Sequence, residues 1–250
     1  MCYILALKPS HDFTKIQLSN AYNNNKDNAG FAYVKEEKVI IHRGYKSFEN
    51  FYSAYSSIGI DCPRLIHFTN VNKEELKTRA NCHPFEIIRD HLCMAQAGTV
   101  FGFNDTNDNS EAKLLVKEVI KPLMLNKTYK YVCNSHIRWL LDEAVGPSNK
   151  MVFLDKDGMF TIINPQTGYF ERDNNVWFNS KVHDWVISSN KTMNNEGLVV
   201  GNDINVPNQV TEEKYDVWLL RIYHEYVKGK AGESKGKAIN SDLESINCHE

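Results

Sequence analysis

Apolar residues in this chain come in short bursts whose spacing changes from segment to segment. Residues 2–7, Cys-Tyr-Ile-Leu-Ala-Leu, are a short apolar run ended by Lys8-Pro9-Ser10, which predicts a strand. A short helix is expected over 13–22, and the polar stretch 23–28 reads as a loop. Residues 31–34 and 39–42 form two further strands joined by the turn Lys35-Glu36-Glu37-Lys38. Over 47–57, Phe48, Phe51, Tyr52 and Tyr55 recur at helical spacing behind Ser47, a good N-cap, and such an aromatic stripe belongs in a core. Strands are predicted at 64–68 and from Met94, where the run to Phe103 continues into a loop. Two amphipathic helices follow, at 110–123 (Leu114, Leu115, Val119, Ile120, Leu123) and 135–145. The clearest local signal is a β-hairpin, 151–154 and 159–163, around Asp155-Lys156-Asp157-Gly158. Residues 176–178 predict one more strand. The order strands, helices, strands implies an α+β layered fold with antiparallel sheets.

The pattern weakens beyond Trp185. Residues 188–209 are Asn-rich and read as irregular; 212–227 predicts a helix with Trp218, Leu219, Ile222 and Tyr226 on one side. From Lys228 the Gly/Lys-rich composition reads as a tail. The expected division is therefore a domain over 1–185, a partly helical extension over 186–227 and a tail over 228–250.

Composition narrows the function classes. No apolar run approaches the roughly 20 residues of a membrane helix, and no basic leader precedes the first strand, so a cytoplasmic protein without a membrane partner is expected. Six cysteines (Cys2, Cys62, Cys82, Cys93, Cys133, Cys248) occur without a Cys-x-x-Cys pair, which argues against a zinc site and a disulfide scaffold. Asp155 and Asp157 belong to a turn, without further carboxylates at calcium-loop spacing, so no metal is expected. A net charge of −2 gives no reason to expect nucleic acid. No phosphate-binding glycine loop occurs, and no cofactor is expected.

Chemistry enters at Cys2. Removal of Met1, favoured by the small side chain that follows, would leave a cysteine carrying both a thiol and an α-amine. An α-amine titrates near pH ~8 and serves as a base on the same residue as the nucleophile. Four segments in order extend this observation: Met1-Cys2 opening a strand; Asn24 to Phe31; Leu65-Ile66-His67-Phe68 through Asn81-Cys82-His83-Pro84-Phe85; and Ala95-Gln96-Ala97-Gly98-Thr99-Val100 followed by Asn109-Ser110-Glu111-Ala112. Together they resemble class II glutamine amidotransferases, the N-terminal-nucleophile branch, and within it the small stand-alone type encoded by bacterial viruses. The resemblance covers roughly residues 1–180. It implies a four-layer αββα sandwich over the domain 1–185, with the cysteine at the end of a central strand. It also implies a chemistry: thiol attack on an amide, proton relay by the α-amine, and oxyanion binding by an Asn side chain and a Gly N–H, here Gly98. A separate ammonia-accepting subunit is implied for any synthetase activity.

The substrate pocket departs from that family. Thr69 stands where the family has a carboxylate-binding Arg, Ala97 where it has the oxyanion Asn, Asn109 where it has an ammonium-binding Asp, and Asn28 where it has Gly. Loss of one oxyanion donor costs about 10²–10³ in rate, and Thr69 forfeits a bidentate charged contact. Arg43 or Arg79 is a candidate for a displaced cation, whose position the sequence does not give, and Arg79 reads rather as a solvated loop charge. His67 and His83 are expected either to orient polar groups near the cleft or to be histidines hydrogen-bonded near a strand end. Cys82 and Cys93 read as core thiols, and Asp105, Asp108 and Glu111 as an acidic surface cluster. Two functions follow as expectations: a Cys2-dependent amidohydrolase acting on a small amide substrate other than ordinary glutamine, or an inactive amidotransferase-like fold that captures a partner protein or small molecule.

Overall fold

The computed structural model describes residues 2–179 apart from 72, 101, 107 and 172–174. The chain divides into two compact units, Met1–Asp203 and Ile204–Glu250, and every described residue lies in the first. The irregular stretch, helix and tail expected after Trp185 fall outside the described residues.

The architecture is α+β, with two antiparallel sheets. The first contains β1 (Tyr3–Leu7), β2 (Asn28–Lys35), β3 (Lys38–Tyr45), β4 (Arg64–Thr69), β9 (Tyr169–Glu171) and β10 (Val176–Phe178), in the order β3-β2-β4-β1-β10-β9. The second contains β5 (Phe85–Ile88), β6 (Leu92–Ala97), β7 (Lys150–Asp155) and β8 (Phe160–Ile163), in chain order. The β2–β3 turn is closed by Glu36 and Glu37, both left-handed (φ 52° and 55°), a geometry that matches the twist of the strands. Neither residue type announces such a turn.

Strand periodicity sorts side chains between cores. Leu5 and Leu7 of β1, Phe31 of β2, and Ile66 and Phe68 of β4 join Phe13 and the helical residues Leu18, Phe48, Phe51 and Tyr55 in one cluster. The alternate residues, Ile4, Ala6, Ala32 and Leu65, pack with Cys93, Ala95, Ala97, Val152 and Leu154 of the second sheet. Met94, Met151 and Phe153 turn the other way, onto Leu115, Val116, Ile120, Leu141 and Val145.

The helices are held by caps the sequence supplies. Thr14 and Gln17 form a capping box at α1 (Lys15–Asn24), Ser47 accepts from the Asn50 N–H at α2 (Phe48–Tyr55), and Asn134 accepts from His136 and Ile137 at α5 (Ser135–Val145). The helix expected over 110–123 has three parts: α3 (Glu111–Leu115), a π-helical turn (Val116–Ile120) and α4 (Lys121–Leu123). Pro122 has no N–H for the Glu118 carbonyl and its ring crowds that group, which accounts for the widened turn. Two strands, β5 and β9, had no predicted counterpart. No described helix is long and apolar enough to cross a membrane.

Candidate active site

Strand register brings the candidate residues to one end of the sheets. β1 pairs Tyr3 with Phe68 of β4, so continuing the register by one residue sets Cys2 beside Thr69. On the other side of β4, Thr69 pairs with Asn28 and His67 with Gly30 of β2. By strand alternation Cys2, Thr69, Asn28, His67 and Gly30 face the same layer as Ile4, Ala32 and Leu65, toward the second sheet. The partly exposed Cys2 packs against that inter-sheet core.

Asn179 fastens the start of β1. Its Oδ1 accepts from the Ile4 N–H at 2.8 Å and its Nδ2 donates to the Cys2 carbonyl at 3.0 Å, while the side chain is buried. This residue sits 177 positions from Cys2, and no local motif marks it.

Behind Thr69 lies a buried histidine pair. His67 Nε2 is 3.1 Å from the Gln96 carbonyl, and the Thr69 hydroxyl is 2.8 Å from Nδ1. A carbonyl only accepts, so Nε2 carries the proton and Thr69 donates to Nδ1. Full burial holds His67 neutral, its pKa lowered to about 4, with the Gln96 hydrogen bond opposing the shift. The His83 ring lies 4.2 Å from that of His67 and 4.4 Å from that of Phe85. Burial first, then the cost of a second positive charge beside His67 and Arg43, push it well below the ordinary imidazole range. The backbone of this segment presses on β2: a Cβ on Gly30 would stand 2.0 Å from the His83 carbonyl oxygen.

The preceding thiol, Cys82, is buried with its Sγ 3.4 Å from the Ala29 carbonyl and 3.3 Å from the His83 carbonyl. Burial raises it to about 11. Arg43 Nη1 donates to the Cys82 carbonyl at 3.2 Å, and its guanidinium lies 5.7 Å from the Phe85 ring centre. Arg79 is exposed.

Two carboxyl groups act on Cys2. Burial raises the thiol pKa; the Asn70 backbone lowers it, and the charges of Glu111 and Asp27 raise it further. Burial lifts Glu111 to about 7, opposed by the Val100 backbone and assisted by the charge of Asp105. For Asp27 burial pushes upward, but Lys77, 2.9 Å away, and the Val71 N–H at 2.7 Å hold the carboxyl below its ordinary range. Glu111 opens a helix whose preceding loop is folded onto Asn81. Asn81 Oδ1 accepts from the Ser110 N–H and its Nδ2 donates to the Asp108 carbonyl, while Asp105 Oδ1 caps the Glu111 N–H. The surface reading of the acidic cluster therefore does not hold for Glu111, which is part-buried.

The remaining candidates take the following places. Asn109 closes a turn with Thr106 through its backbone N–H and carbonyl, and it is the carboxyl two residues later that reaches Cys2 electrostatically. Ala97 is buried at the end of β6 and offers no polar group. Gly98 follows with φ 110°; a Cβ there would stand 2.2 Å from Asn149 Oδ1. Its carbonyl accepts from Gln96 Nε2 at 2.7 Å, and Asn149 Nδ2 is anchored on the Val145 carbonyl at 2.5 Å. This loop is held by buried amides. Asp155 Oδ1 accepts from the Asp157 and Met159 N–H groups, a turn role.

The arrangement offers a thiol at a strand terminus, a carboxyl that titrates near neutrality, and a neutral imidazole wall. Among the described residues no group of three or more His, Cys, Asp or Glu is placed to hold a metal. No protein-family model matches the chain, and no curated protein matches it.

Proposed function

We propose that this protein is a cysteine-dependent amidohydrolase with the four-layer αββα sandwich of N-terminal-nucleophile hydrolases, resembling class II glutamine amidotransferases. The row of Cys2 and Thr69 across the first sheet, backed by the His67–His83 pair, carries this reading. The three cores, one between the sheets and one on each side of them, support the layered architecture.

The chemistry balances as follows. The Cys2 thiol gives its proton to the α-amine exposed by loss of Met1, and the sulfur bonds to the amide carbon. The C–N bond breaks as the departing nitrogen takes that proton. The products are a thioester and ammonia; water then cleaves the thioester to a carboxylic acid and restores the thiol. The Gly98 N–H is the proposed oxyanion donor, and a second subunit is the proposed consumer of the ammonia. Five unpaired cysteines among the described residues fit a cytoplasmic, reducing setting.

Free glutamine fits this site poorly. Thr69 has no charge for a carboxylate and its hydroxyl is engaged by His67; the cations Arg43 and Lys77 are engaged by the Cys82 carbonyl and by Asp27. The proposed substrate is therefore another small amide. The same two observations, with the apolar Ala97, favour a second reading, a retired enzyme fold that binds a partner protein or small molecule. The test is ammonia release from a panel of primary amides by the wild type and by Cys2→Ser. Cys2-dependent release from any member other than glutamine supports the enzyme, release from glutamine as the best member contradicts the pocket argument, and no Cys2-dependent release favours the binding module.

A further inference from the structure

The layer that holds Cys2 also holds polar atoms with nothing to bind. Asn28 is 1% exposed and His83 is 5% exposed. Among the described residues no hydrogen-bond partner reaches Asn28 Oδ1 or either ring nitrogen of His83. A buried polar atom left unpaired costs free energy comparable to a lost hydrogen bond, so such atoms in a native structure await a partner.

Their placement says which partner. Asn28, Thr69 and Cys2 form one row across β2, β4 and β1, by the pairing of Asn28 with Thr69 and the one-residue extension of the Tyr3–Phe68 pair. Gly30 and His67 form the next row, and His83 covers it, its carbonyl against Gly30 and its ring against His67. Adjacent strands are about 4.8 Å apart, so Asn28 and Cys2 flank Thr69 at about 10 Å between Cα atoms. Both side chains rise from the same face. The register therefore sets Thr69 between Cys2 and Asn28.

We infer that Asn28 is a specificity-determining residue that accepts a hydrogen bond from the amide N–H of the substrate held against Cys2, with His83 as the polar wall behind it. The inference rests on the reading of Cys2 as nucleophile and adds the residue that distinguishes a primary amide from an ester of the same size. A neutral imidazole has one donor and one acceptor, which complement the N–H and C=O of a carboxamide. The lone acceptors of Asn28 have no such complement in an ester oxygen.

Covalent labelling tests this without any need for turnover. The full-length protein is treated with iodoacetamide or with methyl iodoacetate, electrophiles of matching size that differ in the N–H donors. Labelling rates are read at the Cys2 peptide and, as internal reference, at the exposed Cys133. The expected result is an amide-over-ester preference at Cys2 about tenfold above that at Cys133, the worth of one hydrogen bond to a buried acceptor. Asn28→Ala should bring the ratio to the Cys133 value, and Asn28→Asp, which keeps the acceptor and the shape, should retain it. A wild-type ratio equal to that at Cys133 overturns the inference while leaving Cys2 a nucleophile. A preference that survives Asn28→Ala assigns it elsewhere and overturns the inference as well. If neither variant folds, the wild-type ratio alone decides. No labelling of Cys2 by either reagent would overturn the nucleophile reading and this inference with it.

Discussion

His67 provides the sharpest stability test of the buried site. It is fully buried, donates to the Gln96 carbonyl and accepts from Thr69, all as the neutral imidazole. Its folded pKa of about 4 lies below the ordinary 6.5 of an unfolded histidine. The folded pKa is depressed, so between these values the unfolded chain holds one proton more than the native state. Stability from this group is therefore complete above pH ~6.5 and falls as the pH drops toward 4. The shift corresponds to about 3 kcal/mol at the full extent of the window. His83 shifts in the same direction and adds to the trend. His67→Gln keeps a donor for the Gln96 carbonyl and removes the titration. Urea unfolding at several pH values between 7.5 and 4.5, for wild type and His67→Gln, reads the effect of His67 together with the part of the His83 shift that His67 causes. The wild type should lose stability faster on acidification, the difference reaching about 2 kcal/mol by pH ~5. Parallel stability curves would refute the claim that His67 is buried as a neutral group.

Two other perturbations probe the surroundings. Gly30→Ala places a methyl 2.0 Å from the His83 carbonyl oxygen, so β2 and that segment must separate; a loss of about 2 kcal/mol, seen as a lowered melting temperature, is expected, and an unchanged melting temperature would contradict the close approach. Glu111→Gln removes a charge that raises the Cys2 pKa, so the pH midpoint of Cys2 alkylation should move down, and an upward or absent shift would remove Glu111 from the site.

What the chain revealed in advance depended on how local each signal was. Helix α5 and strand β10 occupy the expected residues, and α2 lies behind Ser47 as its cap required. These elements are specified by caps and periodicity within a few residues. β5 is four residues long with a register shift between Glu86 and Ile88, and β9 is three residues with two exposed aromatics, so neither shows a clean alternation. They are strands because neighbouring strands offer hydrogen bonds.

The site divides in the same way. Cys2, Thr69, His67 and His83 were marked by position and residue type, and strand pairing brings them together. Glu111 was not, because its arrival depends on Asn81 tying down the loop that ends at Ser110; the Ser110 cap followed by an acidic residue was the available signal. Asn179 carries no local signal, since its partners are at the opposite end of the chain. Asn28 stood out only as a departure from the glycine expected there, and its buried oxygen, without a partner among the described residues, gives that departure a use.

The central claim is that Cys2 acts with its own free α-amine. The direct test is intact-mass analysis of the purified protein before and after denaturation in the presence of a cyanobenzothiazole, which condenses only with a cysteine bearing both thiol and α-amine. The account predicts loss of Met1 and a single adduct mapped to Cys2. A protein that retains Met1 and forms no adduct would contradict it.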